Sequence, residues 1–451
     1  MINISINQNV FIEVATKITS KQAVIGIVGL GYVGLPIASA FAKKGFKVIG
    51  FDINDVRVQA INNGYSHIKA VSSDDLKSFI KAELFRASSD FSSIAECDAI
   101  IICVPTPIDS YSNPDLTYMT ESADTIVKYL RKGQVVSLES TTYPGTTEEI
   151  ILPILARSGL VVGKDFFLLY SPEREDPGNF HYGMSSIPKV VSGHSVNCLK
   201  IGSLLYGAVV DKVVEVSSTK VAEMTKLLEN IYRCVNISMI NEIKVIADSM
   251  NINILEVIDA AATKPFGFTP FYPGPGIGGH CIPVDPFYLT YKAKEFGIHT
   301  RFIELAGEIN YKVQDFVVNK LMLALNDIGK SLKNSKILVL GIAYKKNVED
   351  MRESPSVRIL KKLINKGAIV DYHDDLVQDM YLNVNKNEAK ILIKSIKISA
   401  DTVANYDVVL LLTDHDSVDY DMILKNAKLI VDTRGRYKED LKKHNRKVIL
   451  A

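Results

Sequence analysis

The sequence lacks a charge excess of either sign: 52 Lys and Arg stand against 51 Asp and Glu, a formal net charge of +1 over 451 residues. Without a broad positive field there is little to hold a polyanion or an anionic membrane, so nucleic acid and lipid surfaces are poor partners. Long apolar runs are missing too. Stretches such as Ala99 to Val104 fall far short of the roughly 20 residues a membrane-crossing helix needs. The segment Met1 to Lys21 mixes Asn, Gln, Glu and Lys with isolated apolar residues and has no basic stretch leading into an apolar one. A short N-terminal arm on a cytoplasmic chain is expected. Cysteine is sparse. The five present, Cys97, Cys103, Cys198, Cys234 and Cys281, show neither metal-ligand spacing nor the density of a disulfide framework. Free thiols in a reducing compartment, and no metal site, follow. Hydrophobic residues at 47% and charged residues at 23% are ordinary for a folded protein. The length allows about three domains.

Val24 to Val28 is a β-branched run that leads into Gly29-Leu-Gly-Tyr-Val-Gly34, then a helix-like Leu35 to Lys44 closed at Gly45, then a strand from Lys47 to Phe51 ending at Asp52. Ala99 to Val104, Val135 to Leu138 and Phe166 to Leu169 read as further buried strands of a parallel sheet covered on both faces. From Ser217 to Met250 there is no Gly or Pro, and Val221, Met224, Leu228, Ile231 and Val235 recur at helical spacing. This predicts a helix on the order of 50 Å long, either a core helix or the seat of a dimer interface. A Gly/Pro-rich loop, Pro265 to Pro286, follows. A second α/β pattern starts at Lys336: strand Ile337 to Leu340, helix Pro355 to Lys366 with Ser354 as N-cap and Gly367 as stop, strand Ala368 to Tyr372, then strands Val408 to Leu412 and Leu429 to Val431. The predicted fold is α/β, with two doubly wound parallel-sheet domains joined by a long helix and its helical neighbours.

In the first unit Gly29 allows a tight turn, Gly31 lets backbone approach a pyrophosphate, and Gly34 permits close helix–strand packing. Asp52 suits both ribose hydroxyls of a dinucleotide and repels a 2′-phosphate, which favours NAD over NADP. Arg57 is either a solvated helix arginine or a group that turns towards a phosphate. The loop Gly274 to Asp285 places Cys281 directly after closely spaced glycines, with the carboxylate of Asp285 nearby, so its thiol is expected to be accessible and reactive. The other cysteines sit in apolar or helical contexts and are expected to be inert. Lys226 and Asn230 share a helix face, flanked by Leu227, Leu228 and Ile231, which are expected to be buried. If that face meets the cysteine loop, an ammonium and an amide can stabilise an oxyanion. Glu173, in Ser171-Pro-Glu-Arg174, is a candidate base, and Thr106 and Thr141 follow strands where ligands of open α/β sheets bind.

These residues carry a resemblance to the nucleotide-sugar 6-dehydrogenases, the UDP-glucose and GDP-mannose dehydrogenase family, from about Val24 to Arg434. The matching motifs are Gly29 to Pro36, Ser140 to Gly145, Ser171 to Glu173, Lys226 to Asn230, Gly278 to Asp285 and Lys345 to Pro355. Ser171 to Gly178 and Thr263 to Thr269 resemble the bacterial subgroup acting on UDP-N-acetylhexosamines, UDP-N-acetylglucosamine above all, in surface polysaccharide pathways.

The resemblance implies NAD as cofactor, held by Gly29, Gly31, Tyr32, Val33, Gly34, Asp52, Arg57, Thr106, Thr141 and Arg352. It makes Cys281 a nucleophile, Lys226 and Asn230 oxyanion and substrate contacts, and Asp285 their partner with a water. Glu173 and Thr141 assist thioester hydrolysis. Arg174, Phe271, Tyr272, Gly274 and Gly278 face the sugar nucleotide, with Lys345 on its diphosphate.

The implied layout is an arm at 1–20, an NAD-binding domain at 21–210, a central helical domain at 211–330 that dimerises, and a UDP-sugar-binding domain at 331–451. Pro177 and Val284 depart from the UDP-glucose pattern, where Glu and Lys are expected, and so argue against glucose. UDP-N-acetylmannosamine, UDP-N-acetylgalactosamine and UDP-glucose remain alternative substrates. A single-step β-hydroxyacid dehydrogenase and a silent sugar-nucleotide-binding subunit are the competing readings.

Overall fold

A computed structural model describes residues 7–109, 111–174, 183, 185–383, 390–441 and 447–451. The chain forms two compact units, Met1–Glu229 with Phe287–Ile298, and Asn230–Pro286 with His299–Ala451.

In the first unit the strands are β1 (Val24–Val28), β2 (Lys47–Phe51), β3 (Phe85–Ser88), β4 (Ala99–Ile102), β5 (Val135–Leu138), β6 (Phe167–Tyr170), β7 (Lys189–Gly193) and β8 (Val213–Glu215). They make one sheet in the order β3-β2-β1-β4-β5-β6-β7-β8. Alternate side chains of one strand reach opposite cores: Ile25 and Ile27 join one cluster and Val28 the other. Apolar layers therefore cover both faces, which is what near-continuous β-branched runs require.

The expectation of a wholly parallel sheet needs one correction. β7 runs antiparallel to β6. Buried apolar runs read alike in parallel and antiparallel strands, so the run itself does not set the pairing direction. The N-terminal segment is helical over Asn7–Thr19. It buries Val14 and Ile18 in the first core, and Phe11 meets Phe167 edge-on at 6.2 Å.

The second unit has β9 (Lys336–Leu340) and β10 (Ile369–His373), a hairpin of β11 (Asp379–Leu382) and β12 (Ile391–Lys394), then β13 (Val408–Leu411), β14 (Ile430–Asp432) and β15 (Val448–Leu450). Its main sheet has the order β10-β9-β13-β14-β15 with every pairing parallel. Ser354 caps the helix Pro355–Asn365 by accepting from the Ser356 amide, and Gly367 beyond its end takes a left-handed φ of 82°.

The long helix is Thr219–Ser249, 31 residues, which at 1.5 Å per residue is about 46 Å. Its burial inverts the expectation. Leu227 is buried but Leu228 is 59% exposed, and Val221 and Met224 also point outwards. The buried face instead carries Glu223, Lys226, Asn230, Ser238, Asn241 and Lys244. Apolar spacing locates a buried stripe only when polar residues have no partners to bury with. Here several do: Glu223, Lys226, Asn230, Ser238 and Asn241 all make hydrogen bonds.

Candidate active site

In the first sheet strand order reverses between β1 and β4, the point outside which open α/β sheets hold ligands. Gly29 to Gly34 follow β1 and Thr106 lies beyond β4. Gly29 adopts φ +94°, and a Cβ on Gly34 would lie 1.8 Å from the Gly29 carbonyl oxygen, so glycine is obligatory at both. Gly31 has open space where its Cβ would stand. The helix Gly34–Lys43 opens without a side-chain cap, with Val33 at its entrance and Tyr32, 37% exposed, beside it. Close backbone and an uncapped helix N-terminus are a fitting cradle for the pyrophosphate of NAD.

Asp52 is 5% exposed. Its Oδ2 accepts from the Leu30 amide at 3.0 Å and from Arg57 Nη1 at 2.8 Å, and its Oδ1 from the Asn54 amide at 2.9 Å. Arg57 is therefore paired with Asp52 and partly neutralises it. His67, which the sequence did not single out, is held below its usual range, chiefly by burial and then by Arg57.

Loops after β4 and β5 converge. Thr106 Oγ1 donates to the Thr141 carbonyl at 2.9 Å, Ser140 Oγ to the Val104 carbonyl at 2.7 Å, and the Tyr288 hydroxyl to the Thr106 carbonyl. The long helix grips these loops. Glu223 accepts from the Gly145 amide at 2.6 Å and from the Thr147 amide and hydroxyl at 2.9 and 2.7 Å. Burial pushes its carboxyl up to about 7. One turn on, Lys226 Nζ lies 3.3 Å from Glu173 Oε2, and Glu229 meets Arg174 Nη2 at 2.6 Å. Arg174 also donates to the Pro188 carbonyl at 2.7 Å. The first unit thus brings together Thr106 and Thr141, and separately Glu173, Arg174 and Lys226. Glu223 and Glu229 escaped the sequence reading, although both sit within one helical turn of Lys226.

In the second unit Asn230 Nδ2 donates to Asp285 Oδ2 at 2.6 Å. The Asp285 amide in turn donates to the Cys281 carbonyl at 2.7 Å, so one tight turn links thiol residue and carboxylate. Cys281 is partly exposed while the other four cysteines are buried. Burial pushes the Cys97 thiol up to about 12 and that of Cys234 up to about 11.

The Cys281 loop is tied down by its glycines. A Cβ on Gly278 would fall 2.7 Å from Tyr344 Cβ and 2.8 Å from Pro355 Cδ, and the Gly279 amide donates to the Arg352 carbonyl at 3.0 Å. Arg352 folds onto Asp350 at 2.6 Å and reaches His280 Nδ1 at 3.2 Å. Earlier in the loop, Gly274 donates to Asn241 Oδ1 at 3.0 Å, Phe271 packs edge-on against Tyr232, and the Tyr272 hydroxyl donates to Asp259 at 2.9 Å. Arg434, missed in the sequence, lies against Gly274, where an added Cβ would stand 2.8 Å from its Nη1. Lys345 lies in the loop after β9, half-buried, and Val284 is buried. Pro177 and Gly178 lie outside the described residues.

Among the described residues no group of three or more His, Cys, Asp or Glu is arranged to hold a metal, and no helix is long and apolar enough to cross a membrane.

The chain matches the UDP-glucose/GDP-mannose dehydrogenase family over three domains: its NAD-binding domain at residues 23–210, its central domain at 220–312 and its UDP-binding domain at 338–439. It is 38% identical to Protein CapL of Staphylococcus aureus over 423 residues, covering 92% of this chain and 96% of that protein. It is 39% identical to UDP-N-acetyl-D-glucosamine 6-dehydrogenase of Pseudomonas aeruginosa over 359 residues, covering 79% and 84%. The solved UDP-D-ManNAc dehydrogenase of Pyrococcus horikoshii superposes with a TM-score of 0.82 at 30% identity, covering 91% and 95%. With three family domains in order and a dinucleotide cradle at the first switch point, the chain belongs to the UDP-glucose/GDP-mannose dehydrogenase family and is an NAD-dependent nucleotide-sugar dehydrogenase.

Proposed function

We propose that this enzyme oxidises C6 of a UDP-N-acetylhexosamine twice, from alcohol to carboxylate, with UDP-N-acetylglucosamine as the preferred substrate and surface-polysaccharide assembly as its use. The observation that carries the reading is the state of Cys281: the one unburied thiol among five, one turn from a carboxylate that Asn230 holds at 2.6 Å.

An aldehyde has no hydroxyl-bearing C–H from which a second hydride can leave, so the second oxidation needs an addition first. The Cys281 thiolate adds to the aldehyde carbon, its electron pair forming the C–S bond while the carbonyl pair moves to oxygen. Lys226 and Asn230 donate to that oxygen, as they do to the alkoxide of the first oxidation. Loss of hydride from the adduct leaves a thioester on Cys281, and water then cleaves the C–S bond to give the acid and free the thiol. NAD, when bound, supplies the hydride acceptor for each oxidation. Gly29, Gly31, Tyr32, Val33, Gly34, Asp52, Arg57, Thr106, Thr141 and Arg352 are the groups assigned to it. Asp285 with Asn230, and Glu173 with Thr141, hold the hydrolytic water and receive its proton. Lys345 takes the substrate diphosphate, while Arg174, Phe271, Tyr272, Gly274 and Gly278 line the sugar nucleotide.

We assign 21–210 to NAD, 211–330 to catalysis and dimerisation, and 331–451 to the UDP-sugar, in a cytoplasmic homodimer or higher homo-oligomer whose thiols suit a reducing setting. The outward apolar residues Val221, Met224 and Leu228 support the dimer. Buried Val284, where the UDP-glucose pattern carries lysine, speaks against glucose. A second reading, UDP-N-acetylmannosamine as substrate, is favoured by the likeness to the Pyrococcus dehydrogenase. Offering purified enzyme a panel of UDP-sugars and counting NADH per sugar consumed decides both points. Two NADH with UDP-N-acetylglucosamine fastest is expected; one NADH per sugar removes the double oxidation, and faster turnover of another sugar replaces the substrate.

A further inference from the structure

The second sheet repeats the hydrogen-bonding plan of the first at its own switch point, between β9 and β13, and then departs from it. Gly341 donates to the His373 carbonyl at 2.9 Å as Gly29 does to the Phe51 carbonyl at 2.8 Å. The Ile342 amide reaches Asp374 Oδ2 at 2.8 Å as the Leu30 amide reaches Asp52 Oδ2 at 3.0 Å. Asp374, however, is wholly buried and its acceptor positions are taken. Oδ2 also receives the Ala343 amide at 3.1 Å, and Oδ1 receives the Leu376 and Val377 amides at 2.9 and 3.1 Å. A carboxylate so engaged builds a turn and has little left for a ribose.

The remaining contact comes from across the switch point. His415, 1% exposed and beyond β13, places Nε2 at 3.1 Å from Asp374 Oδ2, and its Nδ1 lies 2.9 Å from the backbone nitrogen of Asn347 in the loop after β9. A backbone N–H only donates, so Nδ1 must be the bare nitrogen and the ring proton sits on Nε2, aimed at the carboxylate. Asn347 holds a left-handed φ of 60° there, clamped by Asp416, which accepts from its side-chain amide at 2.7 Å and donates its own backbone N–H to Asn347 Oδ1 at 3.1 Å.

We propose that His415 is a positioning residue for the nucleoside-diphosphate end of the substrate: its Nδ1 fixes the loop that carries Lys345, two residues before Asn347, across the switch point between β9 and β13. The proposal rests on the reading of Lys345 as the diphosphate contact. His415 touches no reacting atom, so its loss should act on affinity and leave the chemical step alone.

The ring's two nitrogens can be separated by substitution. Asn can supply an acceptor at the Nδ1 position; Gln can supply a donor at the Nε2 position and nothing at Nδ1. Calorimetric titration with UDP and steady-state kinetics are measured on the full-length wild type, His415→Gln and His415→Asn. The expectation for His415→Gln is a Kd for UDP and a KM for the sugar nucleotide about five- to tenfold higher, one net hydrogen bond, with kcat within about twofold. His415→Asn should stay within about threefold of wild type in all of them. Equal weakening in both variants, unchanged binding in His415→Gln, or a kcat that falls as much as affinity overturns the proposal. If His415→Gln fails to fold, His415→Asn decides: near-native affinity upholds the proposal and lost affinity overturns it. Wild-type protein that does not bind UDP overturns the diphosphate reading itself, and that outcome is separate from the variants' behaviour.

Discussion

Replacing Lys226 by Met keeps a long chain on the buried face of the helix and removes only the ammonium. At the observed 3.3 Å from Glu173, a unit-charge pair in an effective dielectric of about 20 attracts by roughly 5 kcal/mol. Both partners are nearly enclosed, with side chains 5% and 12% exposed. Breaking such a pair from one side commonly costs about 3–5 kcal/mol, because the remaining carboxylate stays buried without its counter-charge. The catalytic loss is a different quantity: one oxyanion donor is worth about 3 kcal/mol of barrier, on the order of a hundredfold in kcat.

A second substitution separates the two. Lys226→Met should lower both the urea midpoint and kcat, whereas Lys226→Met with Glu173→Gln should regain most of the stability and none of the turnover. Urea unfolding followed by circular dichroism, alongside NADH production, reads both. A single variant with native kcat, or a double variant that recovers turnover with stability, would falsify the assignment of Lys226.

Three further outcomes can be checked. Iodoacetamide at pH 8 followed by peptide mass mapping should label Cys281 and spare Cys97 and Cys234, whose thiols burial pushes up to about 12 and about 11; labelling of those two at a comparable rate would contradict the burial. The carboxyl of Glu223 is raised in the folded protein to about 7 from an ordinary 4.5. The folded state therefore holds that proton more tightly, and its contribution is complete below about 4.5 and fades as pH rises through about 7, up to roughly 3 kcal/mol in all. Relative to Glu223→Gln, wild-type stability should decline between pH 5 and 8, and a constant difference would refute the shift. Leu228→Glu, at a position 59% exposed on the outward face of the long helix, should turn a dimer into monomers by light scattering with the melting temperature nearly kept; an unchanged mass removes this face from the interface.

The parts of the fold that were legible are those where stereochemistry leaves few choices. Gly29 to Asp52 could be read because a left-handed turn, an uncrowded backbone and a packed helix each demand glycine at a fixed spacing. Ser354 and Gly367 marked a helix for the same kind of reason. Cys281 stood out because glycines lie two and three residues before it, whereas Cys97 and Cys103 flank the buried strand β4 and Cys198 and Cys234 lie in helices. Periodicity misled on Thr219–Ser249, since Glu223, Lys226 and Asn230 bury their polar ends in hydrogen bonds and leave Leu228 outside. The reversal of β7 had no local mark, as pairing direction is decided between segments distant in sequence. Asp374 and His415 stand 41 positions apart, and Arg434 is far along the chain from Gly274, so no spacing rule joins them. The close approach exists only once the strands are laid side by side.

In the proposed reaction Cys281 carries the carbon covalently between the two oxidations. Cys281→Ser, given the sugar nucleotide and NAD, should bind both, as calorimetry will report, yet release no uronate detectable by mass spectrometry over many wild-type turnover times. Uronate released at the wild-type rate would contradict it.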